Sequence, residues 1–272
     1  MALTMGHALE IDSHIQAALA NSKRQQESAQ VIQAGGNGEL DVYLQPIVLL
    51  QTKQVVSFEA LIRRIKDGKP IGSAEEIVEA AAAYDLSDHL WIIVMRKVCQ
   101  LLAGLPHDIR LPVAINASPR QMSSFWFAET ARELAHQYGV EPRLIRFELT
   151  EREPILDNNI VISVLRRLES FGFDVMIDDF GSGHTTLSML SALPVSGIKF
   201  DRNFLKTNNP ARRIILDGVV NICHMLDRFV VIEGIETEAL HDIARSSGAA
   251  FGQGFYYGLP MPETHAFSGL NR

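Results

Sequence analysis

Six polar residues recur at the ends of short apolar runs, and their spacing limits what this chain can fold into. Asn116, Glu148, Asp178, Lys199, Glu233 and Gln253 are separated by steps of 32, 30, 21, 34 and 20 residues. The run before each reads as a buried β-strand: Leu111–Ile115, Leu144–Phe147, Phe173–Ile177, Val195–Ile198, Phe229–Ile232 and Ala249–Phe251. A parallel strand, its crossover helix and two loops occupy about 30 residues in a (β/α)8 barrel of about 250, whose chemistry gathers at the C-terminal strand ends. The spacing therefore predicts an α/β barrel with one ring of carboxylates at its C-terminal rim.

Composition narrows the function classes. A length of 272 residues suits one such barrel without a dividing linker. The 25 Lys and Arg against 32 Asp and Glu give a formal charge of -7, with no basic tail, which argues against a polymeric nucleic acid or an anionic membrane as partner. Cys99 and Cys223 stand alone, without metal-ligand spacing, and read as core thiols of a reducing compartment. No apolar stretch approaches the roughly 20 residues of a membrane span, and no leader pattern opens the chain. The expectation is a soluble, cytoplasmic protein, either whole or cut from a longer chain.

Residues 8–33 are helix-like and stop at Gly35-Gly36. They read either as a helix packing at a barrel end or as the close of a signalling linker from an upstream sensor, so we divide the chain into a helix/linker over 1–38 and a barrel over 39–272. Two strand-like runs follow, Asp41–Val48 and Gln54–Ile62. The gap between them cannot hold a crossover helix, so these strands should be antiparallel neighbours. Helices are expected over Ser73–Tyr84, Ser87–Leu102, Pro119–Gln137, Asp157–Phe171, Pro210–Leu226 and Glu236–Arg245, with Ser73 ahead of Glu76 as a start signal.

Single charges in these runs have ordinary explanations. Glu59, which shares a strand face with Ser57 and Leu61, reads alone as an edge residue, and Asp178-Asp179 before Phe180-Gly181 is a common turn signal. Glu148-Leu149-Thr150-Glu151 reads equally as a helix start, with Thr150 capping toward Glu153. Together they read differently, because burying so many charges costs several kcal/mol per ion unless metals or opposite charges compensate. Many carboxylate oxygens with one ammonium, Lys199, suit Mg²⁺ or Mn²⁺ acting on a phosphate ester.

The residues also carry a family resemblance. Gln45-Pro46-Ile47-Val48, Phe58-Glu59-Ala60-Leu61-Ile62-Arg63, Ile115-Asn116-Ala117-Ser118-Pro119, Glu148-Leu149-Thr150-Glu151, Asp178-Asp179-Phe180-Gly181-Ser182-Gly183, Lys199-Phe200-Asp201, Glu233-Gly234-Ile235-Glu236-Thr237 and Gly252-Gln253-Gly254-Phe255 resemble, in order, the signature series of EAL-type cyclic di-GMP phosphodiesterases. The resemblance implies a modified TIM (β/α)8 barrel with an antiparallel first strand. It implies hydrolysis of cyclic di-GMP to linear pGpG in bacterial second-messenger signalling, with two Mg²⁺ or Mn²⁺ ions. By matching position, Glu59, Asn116, Glu148 and Asp178 would hold one metal, and Asp178, Asp179 and Glu233 the second. Lys199 would contact the attacking water, Asp201 would support it, and Glu236 would stand in the outer shell of the site. Glu151 would anchor the loop after Asp179, while Gln45, Leu61, Arg63 and Gln253 would line the nucleotide pocket.

The chain departs from the family pattern in three places. Phe200 stands where Ile is usual, His184 where the mobile loop carries Tyr, and the stretch after Arg64 is compressed to Ile65-Lys66-Asp67-Gly68-Lys69-Pro70-Ile71. An active phosphodiesterase is the leading expectation, since every expected metal and water contact is present. A non-hydrolysing cyclic di-GMP receptor signalling through the N-terminal helix is the alternative, and an enolase-like barrel is disfavoured for want of a capping domain. A homodimer and an upstream sensor domain are the expected partners beyond cyclic di-GMP.

Overall fold

The computed structural model describes residues 22–36, 38–150, 158–181, 187–204 and 210–268. The chain divides into two compact units, one of Met1–Asp41 with Ile62–Val94 and one of Val42–Leu61 with Met95–Arg272. No helix among the described residues is long and apolar enough to cross a membrane.

The first unit opens with α1 over 22–33. Its described part is amphipathic and buries Ala29, Val31 and Ile32. Gly35 and Gly36, both at positive φ, end it as predicted. Strand β1 (Leu40–Leu49) leaves this unit and β2 (Val55–Lys66) returns to it. There β2 pairs antiparallel with β3 (Lys69–Ile71), Lys66 facing Lys69 across Asp67-Gly68. Both turn residues have φ near 50–70°, 51° and 72°, which the tight primed hairpin turn demands and Asp-Gly supplies. The compressed segment of the sequence is thus a hairpin. Helix α2 (Ala74–Ala83) starts at Ser73 with the reciprocal capping pair to Glu76, and α3 (Ser87–Gly104) follows. Arg64, only 11% exposed in its side chain, pairs with Glu27 at 3.2 Å and Glu39 at 3.6 Å.

The second unit is a barrel. Its strands β4 (Val113–Ala117), β5 (Ile145–Thr150), β6 (Asp174–Phe180), β7 (Gly197–Phe200), β8 (Phe229–Ile232) and β9 (Phe251–Gln253) run parallel in sequence order from β2. Strand β1 closes the ring, antiparallel to β9 and paired with β2, as the short gap predicted. Among the described residues eight strands form the ring, with β3 and the short β10 (Met261–Pro262) appended. The helices are α4 (Pro119–Met122), α5 (Phe125–Gln137), α6 (Asn158–Phe171), α7 (Leu187–Ala192), α8 (Pro210–Met225), α9 (Glu238–Ser246) and α10 (Glu263–Ala266). The single helix expected over Pro119–Gln137 is two, broken at Ser123-Ser124. Ser123 Oγ bonds back to the Pro119 carbonyl at 2.7 Å, ending the first after one turn.

Alternation decides what fills the ring. Phe58, Phe147 and Phe200 are essentially fully buried on the helix-facing side, where Phe147 meets Phe127 and Phe173 with ring centroids 5.2 and 5.3 Å apart. Each such side chain contributes about 2–3 kcal/mol of apolar burial. Ile47, Met176 and Val231 form a buried apolar cluster packed against Phe229 and Phe251. The strand residues of the opposite parity at the C-terminal rim are the polar ones. Most predicted strands begin one or two residues early and stop short. The real ones continue through Asn116, Glu148, Asp178, Lys199 and Gln253, because these polar side chains face a polar interior and stay in the ladder.

Candidate active site

The ring converges on one ammonium. Lys199, 1% exposed on β7, places Nζ at 3.1 Å from Glu59 Oε2 (β2), 3.0 Å from Glu148 Oε2 (β5), 3.2 Å from Asp178 Oδ1 (β6) and 2.7 Å from Glu233 Oε1, just past β8. Along the parallel strands Asn116 is paired with Glu148, whereas Glu148 is paired with Met176, two residues before Asp178, and Lys199 with Val231, two residues before Glu233, so the ring steps from strand to strand. The Glu233 N–H bonds the Phe200 carbonyl at 3.2 Å, fixing the start of the loop that carries it.

Two amides complete the ring. Asn116 Nδ2 donates to Glu59 Oε1 at 2.9 Å, and Gln253 Nε2 donates to Glu59 Oε2 at 2.7 Å and to Gln45 Oε1 at 3.2 Å. Glu59 is therefore held by donors from β4, β7 and β9. The sequence reading put Gln253 in the nucleotide pocket and did not anticipate its bond to Glu59. No local signal could, since the partners are 194 residues apart.

Strand β6 breaks its own alternation at the site. Its register with β7 shifts between Ile177 and Phe180, and Asp179 has φ 57°, a left-handed backbone that Asp tolerates better than most residues. Asp178, Asp179 and Glu233 each bring a carboxylate oxygen within 4.8 Å of the others. The bulge lets two successive carboxylates serve one locus.

Burial governs the protonation of this cluster. Burial pushes Glu148 well above the usual carboxylate range despite the Lys199 charge. Burial likewise raises Asp178, and it raises Glu233 to about 8. At Glu59 burial also pushes upward, but the Lys199 charge and the bonds from Gln253, Asn116 and Lys199 outweigh it and the carboxyl is lowered. For Lys199 burial pulls downward, and the surrounding carboxylates, Asp178 and Glu148 foremost, overturn this and raise it well above its ordinary value. If all are ionised, the five acids Glu59, Glu148, Asp178, Asp179 and Glu233 against one lysine leave -5 + 1 = -4.

That surplus fits a hard divalent cation. Glu148 Oε1 and Asp178 Oδ1 are buried oxygens with no hydrogen-bond partner, and an ammonium has three N–H groups for the four carboxylates around it. Asn116, with Nδ2 committed to Glu59, keeps its carbonyl oxygen as a further hard donor. Oxygen-rich sites of this kind suit Mg²⁺, Mn²⁺ or Ca²⁺.

The other predicted residues are placed more loosely. Asp201 follows β7, half-buried, with its N–H 3.4 Å from the Phe180 carbonyl, and Glu236 is exposed in the loop leading to α9. Gln45 is buried on β1 and Leu61 half-buried on β2. Arg63 belongs to the first unit, where its Nη1 donates to the Ile62 carbonyl at 2.8 Å. Glu151 lies outside the described residues, as do residues 182–186 of the loop from Phe180 to Thr186 that it was expected to anchor.

The chain is similar to known proteins in sequence and in fold. The EAL domain family model matches residues 25–260. The biofilm architecture maintenance protein MbaA of Vibrio cholerae is 32% identical over 226 residues, covering 82% of this chain and 28% of its own length. The cyclic di-GMP phosphodiesterase RocR of Pseudomonas aeruginosa is 29% identical over 246 residues, covering 87% of this chain and 61% of that protein. Among solved structures, the PaMucR phosphodiesterase in complex with c-di-GMP superposes with a TM-score of 0.80 at 25% identity, covering 88% of this chain and 99% of that one. The first curated relatives are much longer, this chain spanning 28%, 36% and 30% of three of them. With a match over most of its length and the acidic ring in place, this chain belongs to the EAL domain family.

Proposed function

We propose that the chain hydrolyses cyclic di-GMP to linear pGpG with two divalent ions, Mg²⁺ or Mn²⁺, at the Lys199 ring. The single observation that carries this reading is the set of carboxylates around one ammonium, with Glu148 Oε1 left without a partner and Asp178 Oδ1 held only by its ion pair to Lys199. Family membership and the phosphodiesterases among the relatives supply the substrate.

Glu59, the Asn116 carbonyl, Glu148 and Asp178 would hold one ion, and Asp178, Asp179 and Glu233 the other. Bound ions would supply Lewis acidity and water acidified toward neutral pH. The reaction adds water oxygen to phosphorus and breaks one P–O bond to the ribose; the water gives up one proton and the departing oxygen takes one up, so the protons balance. Lys199 stands where it can orient the water and offset negative charge developing on the phosphoryl oxygens. Asn116 and Gln253 hold Glu59 in one orientation, so the site reaches its geometry before substrate arrives. Asp201 would support Lys199, Glu236 the outer shell, Gln45 and Leu61 the nucleotide contacts, and Glu151 the neighbouring loop.

The test is incubation of the purified protein with cyclic di-GMP and Mg²⁺ or Mn²⁺, followed by chromatography of the products. Metal-dependent appearance of pGpG, absent from Glu59→Ala, is the expected result. Binding of the dinucleotide without cleavage under either ion would overturn the hydrolytic reading.

A further inference from the structure

We propose that Lys199 is the resident cation of the metal-free site: its ammonium gathers the carboxylates into one ring, and a divalent ion enters by taking over oxygens that the ammonium holds. The inference rests on the metal-dependent reading above and deepens it.

Four side chains from separate places in the barrel meet at Nζ, at 3.1, 3.0, 3.2 and 2.7 Å. None of them is paired with any other cation in the described residues, and Glu148 is fully buried. Four carboxylates at such a point repel one another unless a positive charge stands among them. A compact ammonium can approach all four, which a planar guanidinium could not do with equal contacts. Four acids outnumber the single ammonium, so it stabilises the ring without being able to neutralise it when all are ionised. Three N–H groups cannot satisfy four acceptors, and Asp178 Oδ1, at 3.2 Å, has no aligned bond. That oxygen, with Glu148 Oε1, offers an entering ion its first contacts. Completing an ion's coordination then requires the oxygens now turned toward Nζ. Lysine and metal are in this way rival cations at one locus, and loading displaces the lysine from part of its ring.

The rivalry has a sign that a lysine serving only the attacking water lacks. Removing the ammonium should weaken the metal-free fold while increasing what metal contributes to it. The experiment compares wild type with Lys199→Met in thermal melts without nucleotide, in EDTA and in saturating Mg²⁺ or Mn²⁺, together with calorimetric titration of each ion. The expected result is a lower midpoint for Lys199→Met in EDTA, a metal-induced rise about twofold or more that of wild type, and a metal dissociation constant tightened about fivefold or more. An unchanged EDTA midpoint, or a metal-induced rise no larger than that of wild type, overturns the proposal. Wild type that neither melts higher nor gives heat with either ion overturns the metal-dependent reading itself, a distinct outcome. If Lys199→Met does not fold, Lys199→Met with Glu148→Gln, which removes one acid along with the base, decides the matter. Recovery of a folded protein that metal stabilises supports the resident-cation role, and failure of the double variant to recover overturns it.

Discussion

Asn116 offers a sharp test of the ring because one atom's exchange reverses its electrostatics. Its Nδ2 donates to Glu59 Oε1 at 2.9 Å, and Glu59 is 6% exposed. Asn116→Ala removes a bond to a buried carboxylate, worth about 1.5–3 kcal/mol. For a protein of this size each kcal/mol moves the midpoint by about 2–4 °C, so the metal-free protein should melt roughly 3–12 °C lower. Asn116→Asp keeps the shape but sets a carboxylate oxygen where the donor was. At an effective dielectric of about 20, two charges at that separation repel by about 6 kcal/mol. One acid escapes by taking up a proton, which at neutral pH caps the extra cost at about 4 kcal/mol. In EDTA the order of midpoints should be wild type, then Asn116→Ala, then Asn116→Asp. In saturating Mg²⁺ the two variants should change places, because the new carboxylate gives the ion an additional charged ligand. The assay is thermal melting by circular dichroism in the two buffers. If Asn116→Asp melts at or above Asn116→Ala in EDTA, or if Mg²⁺ leaves their order unchanged, the placement of Asn116 between Glu59 and a metal is wrong.

Further outcomes follow from the same geometry. Asp178→Ala should abolish hydrolysis of cyclic di-GMP more completely than Glu59→Ala, since a bridging carboxylate would serve both ions; near wild-type turnover in either variant would sink the two-ion assignment. Lys199→Ala should keep dinucleotide affinity within about tenfold by equilibrium binding yet lower turnover about a hundredfold or more, and a parallel loss of both would make Lys199 a ground-state clamp. Because Glu233 is raised to about 8, and Glu148 and Asp178 are raised too, the metal-free fold retains protons that the unfolded chain releases in the ordinary carboxylate range. Denaturant titrations in EDTA should therefore lose stability as pH rises from about 5 to about 8, the lowered Glu59 adding an opposite loss only at more acid pH, and saturating metal should flatten or reverse the slope. Gly197→Ala would bring a Cβ to 2.5 Å from the Phe229 carbonyl and 2.6 Å from its ring, an overpacking of about 1–3 kcal/mol readable as a lower midpoint; an unchanged midpoint would mean that β7 and β8 are less closely packed than described.

The barrel and the identity of its ring residues could be read from the sequence because both are written in local pattern. Apolar runs of strand length ended at polar residues, and the parity of Ser57, Glu59 and Leu61 set one face apart from Phe58. The antiparallel β1 followed from a gap too short for a helix. Other features depend on what is distant in the chain. Lys199 could be named as the lone cation, but its contact with four carboxylates exists only once β2, β5, β6 and the segment after β8 are side by side. Asp178-Asp179 read as a turn or as paired ligands, and the register shift against β7, with Asp179 at positive φ, that brings both carboxylates beside Glu233 is not written in the local sequence. The hairpin at Asp67-Gly68 was missed because its flanks, Ile65-Lys66 and Lys69-Pro70, have no apolar strand signature. The break after Met122 was missed because a serine pair alone does not forbid a continuous helix.

The closure of the barrel by its first strand also sets an order of assembly. Val48 pairs with Gly252 and Gln45 meets Gln253, so the earliest strand of the ring is completed by the latest. On a ribosome, β1 and β2 emerge with Glu59 long before Lys199 exists, and Glu148 and Asp178 join them while the balancing ammonium is still unmade. Contacts of such long sequence separation form slowly, since loop closure must precede them. The growing chain thus carries Glu59, Glu148 and Asp178 without their counter-charge until Lys199, about three quarters of the way along, is synthesised, and a barrel cut before β9 would lack both the partner that closes β1 and one of the two amides that bond Glu59. The geometry around Lys199 belongs to the finished ring, since its partners come from β2, β5, β6 and the segment after β8.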